Sequence, residues 1–213
     1  HYSPPPKRQD QPRYIAANKP YLMLSNFCRA PEARGRQTFR NLSLPDGVIG
    51  VGRLDRDSEG LLLFTDDTNF NHHVLECGVP KTYVVLVLGQ PSQEAIDSMA
   101  AGGLEIRGRT TRPCHVRRLD RNMTQARFPP PPQNRKATKH LELDSTWLEV
   151  VLKEGRNRQI RKMTAAAGHE TVHLVRVGIG NLRAEDLELG PGEWRVINKQ
   201  DVLGEDETEI YSG

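Results

Sequence analysis

Three short runs in this chain carry residue types whose spacing could do chemistry. The first is Gly52 to Leu63, GRLDRDSEGLLL, which sets the carboxylate of Asp55 in a turn-prone run between Arg53 and Arg56. Neighbouring cations favour a charged carboxylate, and a loop held between two strands positions a reacting group well. The same letters also suit an ordinary turn, since Asp, Ser and Gly are common turn residues. The second run is Glu154 to Met163, EGRNRQIRKM. On a helix, Ile160, Met163, Thr164 and Ala167 share one face. Arg158, Arg161 and Lys162 fall on the opposite face. The preceding Gly155-Arg156-Asn157 would leave free N–H groups at the helix start, where a phosphate binds readily. A solvated basic face reads equally well. The third element is Tyr83 in Lys81-Thr-Tyr-Val, which is either a sheet residue or a stacking platform for a nucleobase.

Other patterns carry less. His169-Glu-Thr-Val-His173 matches the HExxH zinc motif, but that motif needs a helix. Gly168 stops a helix just before it, and Thr-Val-His-Leu-Val follows with β character. In a strand the two histidines would lie about 13 Å apart, too far to chelate one ion, so no metal is expected. The glycines of Gly47-Val-Ile-Gly-Val-Gly have the wrong order for a dinucleotide fingerprint, and no P-loop Lys follows. No Ser or Cys sits in a nucleophile-elbow context. Cys28, Cys77 and Cys114 are widely spaced and odd in number. They read as buried free thiols in a reducing, cytoplasmic compartment rather than a disulfide framework.

These runs must be positioned by elements that the sequence also indicates. Tyr14–Ser25 is β-leaning, broken by Pro20. Val48–Leu54 and Gly60–Thr65 read as strands on either side of the Asp55 turn. Asp67–Cys77 reads as a helix capped by Asp67 or Thr68. Lys81–Leu88, bounded by Pro80 and Gly89, is the clearest strand. Ser92–Ala101 is a helix stopped by Gly102-Gly103. Residues 112–119 and 146–153 read as strands, separated by the Phe128-Pro-Pro-Pro-Pro-Gln loop, which cannot pair within a sheet. Arg158–Ala167 is a helix, and Thr171–Val177 and Gly192–Ile197 are strands. Strands do not alternate strictly with crossover helices, so the fold class expected is α+β (mixed α/β) with a mostly antiparallel sheet. The 213 residues suit one domain at about 150 residues each. Residues 1–12, polar and proline-rich, read as a flexible arm, 13–200 as the domain, and 201–213 as an acidic tail. No run approaches the ~18 apolar residues of a membrane helix.

The net charge of +3 hides an asymmetry. Arg107 to Lys162 holds 15 Lys/Arg against 5 Asp/Glu, and Arg183 to Gly213 holds 9 acidic against 3 basic residues. A basic centre suits a polyanionic partner.

Taken together, the three runs resemble the pseudouridine synthases of the RsuA family. GRLDRDSEGLLL is similar to that family's catalytic motif, KTYVV to the motif carrying its active-site tyrosine, and EGRNRQIRKM to its third motif. The GPGEWRV run near the end also fits, so the resemblance spans residues 14–197. It implies two lobes around a mostly antiparallel sheet with a central cleft. It implies Asp55 as catalytic aspartate, Tyr83 as active-site tyrosine and Arg161 as the arginine that pairs with the aspartate. No cofactor and no metal are implied. The implied partner is ribosomal RNA, bound by a monomer. Arg53, Arg56, Lys81, Arg156, Asn157, Arg158, Gln159 and Lys162 are the RNA-binding candidates. No small S4-like domain precedes the matching part, which points to large-subunit rather than small-subunit rRNA. The rivals are the same chemistry on small-subunit rRNA, a non-catalytic RNA-binding or ribosome-assembly protein, and a hydrolase using Asp55 with Asp57 or Glu59.

Overall fold

A computed structural model describes residues 11–27, 36–140 and 144–205. The strands in chain order are β1 (Tyr14–Lys19), β2 (Ile49–Gly50), β3 (Glu59–Thr65), β4 (Lys81–Leu88), β5 (Glu105–Ile106), β6 (Arg109–Thr110), β7 (His115–Arg118), β8 (Ser145–Leu152), β9 (Thr171–Ile179), β10 (Leu182–Arg183) and β11 (Trp194–Ile197). The helices are α1 (Thr68–Glu76), α2 (Gln93–Ala101), α3 (Arg121–Arg127), α4 (Arg135–His140), α5 (Gln159–Ala166) and α6 (Lys199–Leu203). One sheet runs in the order β11-β1-β3-β9-β4-β8-β7, with β10 added to β9 and β2 to β3. This is the mixed, mostly antiparallel architecture expected.

Among these strands one pairing is parallel, and it is short. β3 meets β9 only through Glu59 opposite Val175 and Gly60 opposite Arg176. On one side of this junction, β1 and β3 alternate their side chains between two cores. Ala16, Leu61 and Leu63 pack with Phe70 and Val74 of α1 and Val202 of α6. Ile15, Ala17, Leu62 and Phe64 pack with Phe39 and Leu42. On the other side, Val85, Val87, Leu148 and Val150 pack against Ile96 and Met99 of α2 and Ile160 and Met163 of α5. The opposite face buries Val84, Leu86, Trp147 and Val172 with Ala137 of α4. Each fully buried aliphatic side chain here contributes about 1.5–3 kcal/mol. The β4 run Val85-Leu86-Val87 is wholly excluded from solvent, because both its faces are covered.

Local signals behave as physics requires. Asp67 caps α1 by accepting from the Phe70 N–H at 2.9 Å. Ser92 caps α2 by accepting from Ala95. β1 stops at Lys19, before Pro20, so the β-leaning run to Ser25 is not one strand. Val48–Leu54 forms only the two-residue β2, because most of it belongs to the turn leading to Asp55. The proline-rich segment 128–134 is loop, as expected. Helices α3 and α4 flank it, and Asn134 anchors it by donating to the Val172 carbonyl at 2.8 Å. The expected arm, residues 1–12, lies almost wholly outside the described residues. The acidic tail begins as structure, since Asn198 and Asp201 form a capping box and Val202 and Leu203 are buried. Its remainder, 206–213, lies outside the described residues. The expected buried thiols are corrected: Cys77 is exposed and Cys114 half-buried, both free, while Cys28 is not among the described residues. His169 and Glu170 precede β9 and His173 lies within it, so the HExxH run forms no helix. Among the described residues no helix is long and apolar enough to cross a membrane.

Gly60 sits at the junction with φ +100°, and a Cβ there would lie 2.3 Å from the Arg176 carbonyl oxygen. Gly60→Ala should therefore destabilise the protein by about 2–4 kcal/mol, from strain and overpacking together. A lower urea midpoint at unchanged slope is the expected reading.

Candidate active site

The turn from Leu54 to Ser58 enters β3 at its junction with β9, and it is held from several directions. Ser25 Oγ donates to the Leu54 carbonyl at 2.6 Å and accepts from the Leu54 N–H at 3.2 Å. Lys19, fully buried at the end of β1, donates to the carbonyls of Ser58, Pro20 and Arg56 at 2.7, 3.1 and 3.4 Å. Burial pushes the Lys19 ammonium down to about 8, against the pull of Glu59, Asp57 and Asp55. The lysine therefore carries its charge and its full set of donors at neutral pH.

Across from the turn, α5 begins in an unusual way. Its N-cap, Arg158, has a left-handed backbone at φ 52° and ψ 38°, with no side-chain cap. Such a conformation is uncommon for a non-glycine residue. It projects the guanidinium back over the cleft. Arg158 Nη1 lies 3.2 Å from both Asp55 Oδ2 and Asp57 Oδ1, and Nη2 lies 3.4 Å from Asp57 Oδ2. One turn later, Arg161 donates to the Thr171 carbonyl at 3.1 Å and the Asp57 carbonyl at 2.8 Å. Its Nη2 also lies 3.2 Å from Asp57 Oδ2. Burial would raise the Asp57 carboxyl, but the Arg158 hydrogen bonds and both guanidinium charges outweigh it and hold it below the ordinary range. Asp57 is thus a fixed anion that clamps two arginines.

Asp55, Arg158, Arg161, Tyr83 and Arg53 line one cleft, with Ile160, Leu152 and Leu174 as apolar wall. Tyr83 lies on β4, half-buried on the α5-facing side. The cleft offers a carboxylate, guanidinium donors and an aromatic surface. It suits a flat polar ring carried on a phosphodiester chain.

The RNA pseudouridylate synthase family model matches residues 13–166. The chain belongs to this family. A relative from Xanthomonas campestris, Ribosomal large subunit pseudouridine synthase E, is 41% identical over 190 residues, covering 88% of this chain and 97% of that protein. A Vibrio vulnificus protein of the same name is 36% identical, covering 87% and 75%. A solved pseudouridylate synthase superposes with a TM-score of 0.69 at 23% identity, over 90% of this chain and 73% of that one, which supports the fold.

Within this pseudouridine synthase the placement of the expected residues divides. Asp55, Tyr83 and Arg161 do share the cleft. The expected pairing needs correction: the guanidinium that bonds Asp55 is that of Arg158. Arg161 is taken up by Asp57 and the Thr171 carbonyl. The reason is the left-handed N-cap, which an ideal helix beginning at Arg158 does not contain. Lys81 is also corrected. It is buried and donates to the Val74 carbonyl at 2.6 Å, in the last turn of α1, so it cannot meet a phosphate. Gln159 is buried and ties Glu154 to the Arg156 N–H. Arg156 is paired with Glu154 at 2.9 Å and donates to the Thr110 carbonyl. These two shape the loop before α5. Arg53, Arg56 and Asn157 are exposed and Lys162 half-exposed around the cleft. Sequence reasoning missed Lys19, whose enclosing carbonyls on the Asp55 turn leave no local signal around it. It also missed Asp57 as an anchor for both arginines.

Asp57→Asn keeps the shape but removes the anion that shares Arg158 with Asp55 and anchors Arg161. Pseudouridine formation should fall by about 100-fold, the scale of a 1 Å misplacement, with little change in thermal midpoint. Lys19 gives a pH test. Its charged form persists below about 8, so wild-type kcat/KM should decline as pH rises through that value. Lys19→Met, which removes the 2.7 Å donor to the Ser58 carbonyl, should lose about 1–3 kcal/mol of stability and lack that alkaline limb in a pH–rate profile.

Proposed function

We propose that this enzyme isomerises a uridine of large-subunit ribosomal RNA to pseudouridine, with Asp55 as the reacting carboxylate, acting as a cytoplasmic monomer. The observation that carries this reading is the Asp55–Arg158 pair, lying open in a cleft with Tyr83. Relatives at 36–41% identity that bear a large-subunit rRNA name support the choice of RNA. The free cysteines Cys77 and Cys114 suit a reducing compartment.

The target base must leave its stack to reach Asp55, and Tyr83 offers a face for it. Phosphates flanking the flipped nucleotide meet Arg53, Arg56 and Lys162, contacts that give affinity more than sequence choice. When a phosphate or the uridine draws Arg158 away, Asp55 is left as a charged oxygen facing the sugar and ring. The N1–C1′ bond then breaks, the uracil turns, and C5 bonds to C1′. C5 loses its proton and N1 gains one, so the reaction is balanced without any other reactant. Tyr83 stands where it can assist that proton movement.

The hydrolase alternative needs a second free carboxylate beside Asp55. Asp57 is committed to two arginines, and Glu59 faces His173 at 3.3 Å beside a different cavity. Neither is available as acid or base to a ligand at Asp55.

Asp55→Asn should abolish pseudouridine formation on an rRNA fragment while binding and thermal midpoint stay close to wild type. Mapping pseudouridine on the RNA after incubation reads this directly. Product formed at the wild-type rate by the variant would sink the assignment.

A further inference from the structure

The Asp55 turn has a cavity on each side. Arg53, Leu54, Asp55 and Ser58 contribute to the cleft described above, whereas Arg56 and Glu59 line a second cavity of about 500 Å³. That volume lies within the range of small-ligand sites, about 300–1,000 Å³. The partition between the two is stiff. Leu22 N–H donates to the Arg56 carbonyl at 2.8 Å, and Lys19 bonds the carbonyls of Arg56 and Ser58 from below. Leu22 itself has a left-handed backbone at φ 67°, a strained conformation kept only where surrounding structure enforces it.

The lining has three kinds of chemistry. Tyr21, half-buried, and the rings of Pro20, Pro131 and Pro191 form flat apolar walls. Arg36 and Arg56 are exposed cations beside them. Glu59 and Gln133 supply groups that can meet a base edge. Gln133 is held in register by its neighbour Asn134, whose side chain bonds both the Val172 carbonyl and the Ala137 N–H. Flat walls, cations and amide or carboxylate groups together match an unstacked nucleotide, whose base stacks while its edge is read.

We propose that this second cavity holds a nucleotide neighbouring the target uridine, and that Glu59 and Gln133 select a base bearing an exocyclic amino group. The proposal rests on the RNA reading above and deepens it. A strand crossing the turn puts the uridine on the Asp55 side and its neighbour on the Tyr21 side, with Arg56 on the turn to meet the phosphate between them. Ionised Glu59 accepts only, so it favours an amino donor and disfavours the carbonyl-rich edge of uracil. Burial lifts this carboxyl to about 7, so the preference strengthens as pH rises through that value. The proline-rich segment, which carries Pro131 and Gln133, thereby becomes a specificity element.

The test uses stem-loop RNAs containing the target uridine, with each adjacent nucleotide in turn made abasic or changed to uridine. For wild type, one neighbouring position should stand out, its abasic form raising KM roughly tenfold, the scale of a lost stacking contact. Tyr21→Ala and Gln133→Ala should raise KM on the intact RNA and become nearly indifferent to that position, with kcat little changed. Glu59→Gln should lose the preference for an amino-bearing base there. Wild-type turnover with no sensitivity at either neighbour, or equal sensitivity retained in Tyr21→Ala, overturns the proposal and leaves the function above intact. A separate binding readout places 2-aminopurine at the neighbouring position and follows its fluorescence with the inactive Asp55→Asn protein. Quenching that Tyr21→Ala removes supports the cavity even if no pseudouridine is ever formed. Quenching that survives in Tyr21→Ala, or no quenching, counts against it.

Discussion

Two guanidinium groups from the start of α5 are locked onto the carboxylates of the turn that opens β3, and the site exists because of that lock. The sheet alone would hold this region weakly, since β3 and β9 share only two residue pairs. Arg158 and Arg161 bridge the same seam through Asp55, Asp57 and the Thr171 carbonyl. An arginine fork suits this task because it satisfies several oxygens at once in a fixed geometry. Arg161 is largely enclosed, so its bonds are less screened than those of a surface ion pair, whereas the exposed Arg158 contacts are open to solvent and to displacement.

The seam carries other buried polar groups that an apolar core would not tolerate without partners. Lys19 is fully enclosed yet satisfied by three carbonyls. Burial lifts the Glu59 carboxyl to about 7 and drops the His173 imidazole to about 4. Their 3.3 Å contact at neutral pH therefore involves a neutral ring and a carboxyl group near its midpoint, rather than a full ion pair. Arg176 donates to the Leu61 carbonyl across the same junction. Such a network holds one backbone path for the turn, which a catalytic carboxylate requires. Hydrophobic packing on either side supplies the bulk of the stability but does not specify that path.

The turn thereby acts as a wall with two useful sides. One presents Asp55, Arg158 and Tyr83. The other presents Tyr21, Glu59 and the proline-rich segment anchored by Asn134. Side chains alternate along a strand, and adjoining residues of the turn are likewise shared between two cavities. Chemistry and recognition are therefore set by neighbouring positions in one short run.

Much of this was legible in the letters themselves. Periodicity and turn residues placed β4, β9, α1 and α2 to within a residue or two, because both faces of β4 are buried and the caps of α1 and α2 use their own side chains. The motif runs placed Asp55, Tyr83 and Arg161 in one cleft. Which arginine meets Asp55 was not legible, because it depends on a left-handed N-cap at Arg158 that an ideal helical projection omits. The burial of Lys81 and Lys19 was not legible either: a lysine reads as solvent-facing, whereas Lys81 turns back onto the Val74 carbonyl of the preceding helix and Lys19 is enclosed by carbonyls of the turn that the tertiary fold brings to it. Local sequence determined the elements and the kinds of groups at the site. The tertiary structure alone decided their pairing, because contacts between residues about a hundred positions apart leave no local pattern to read.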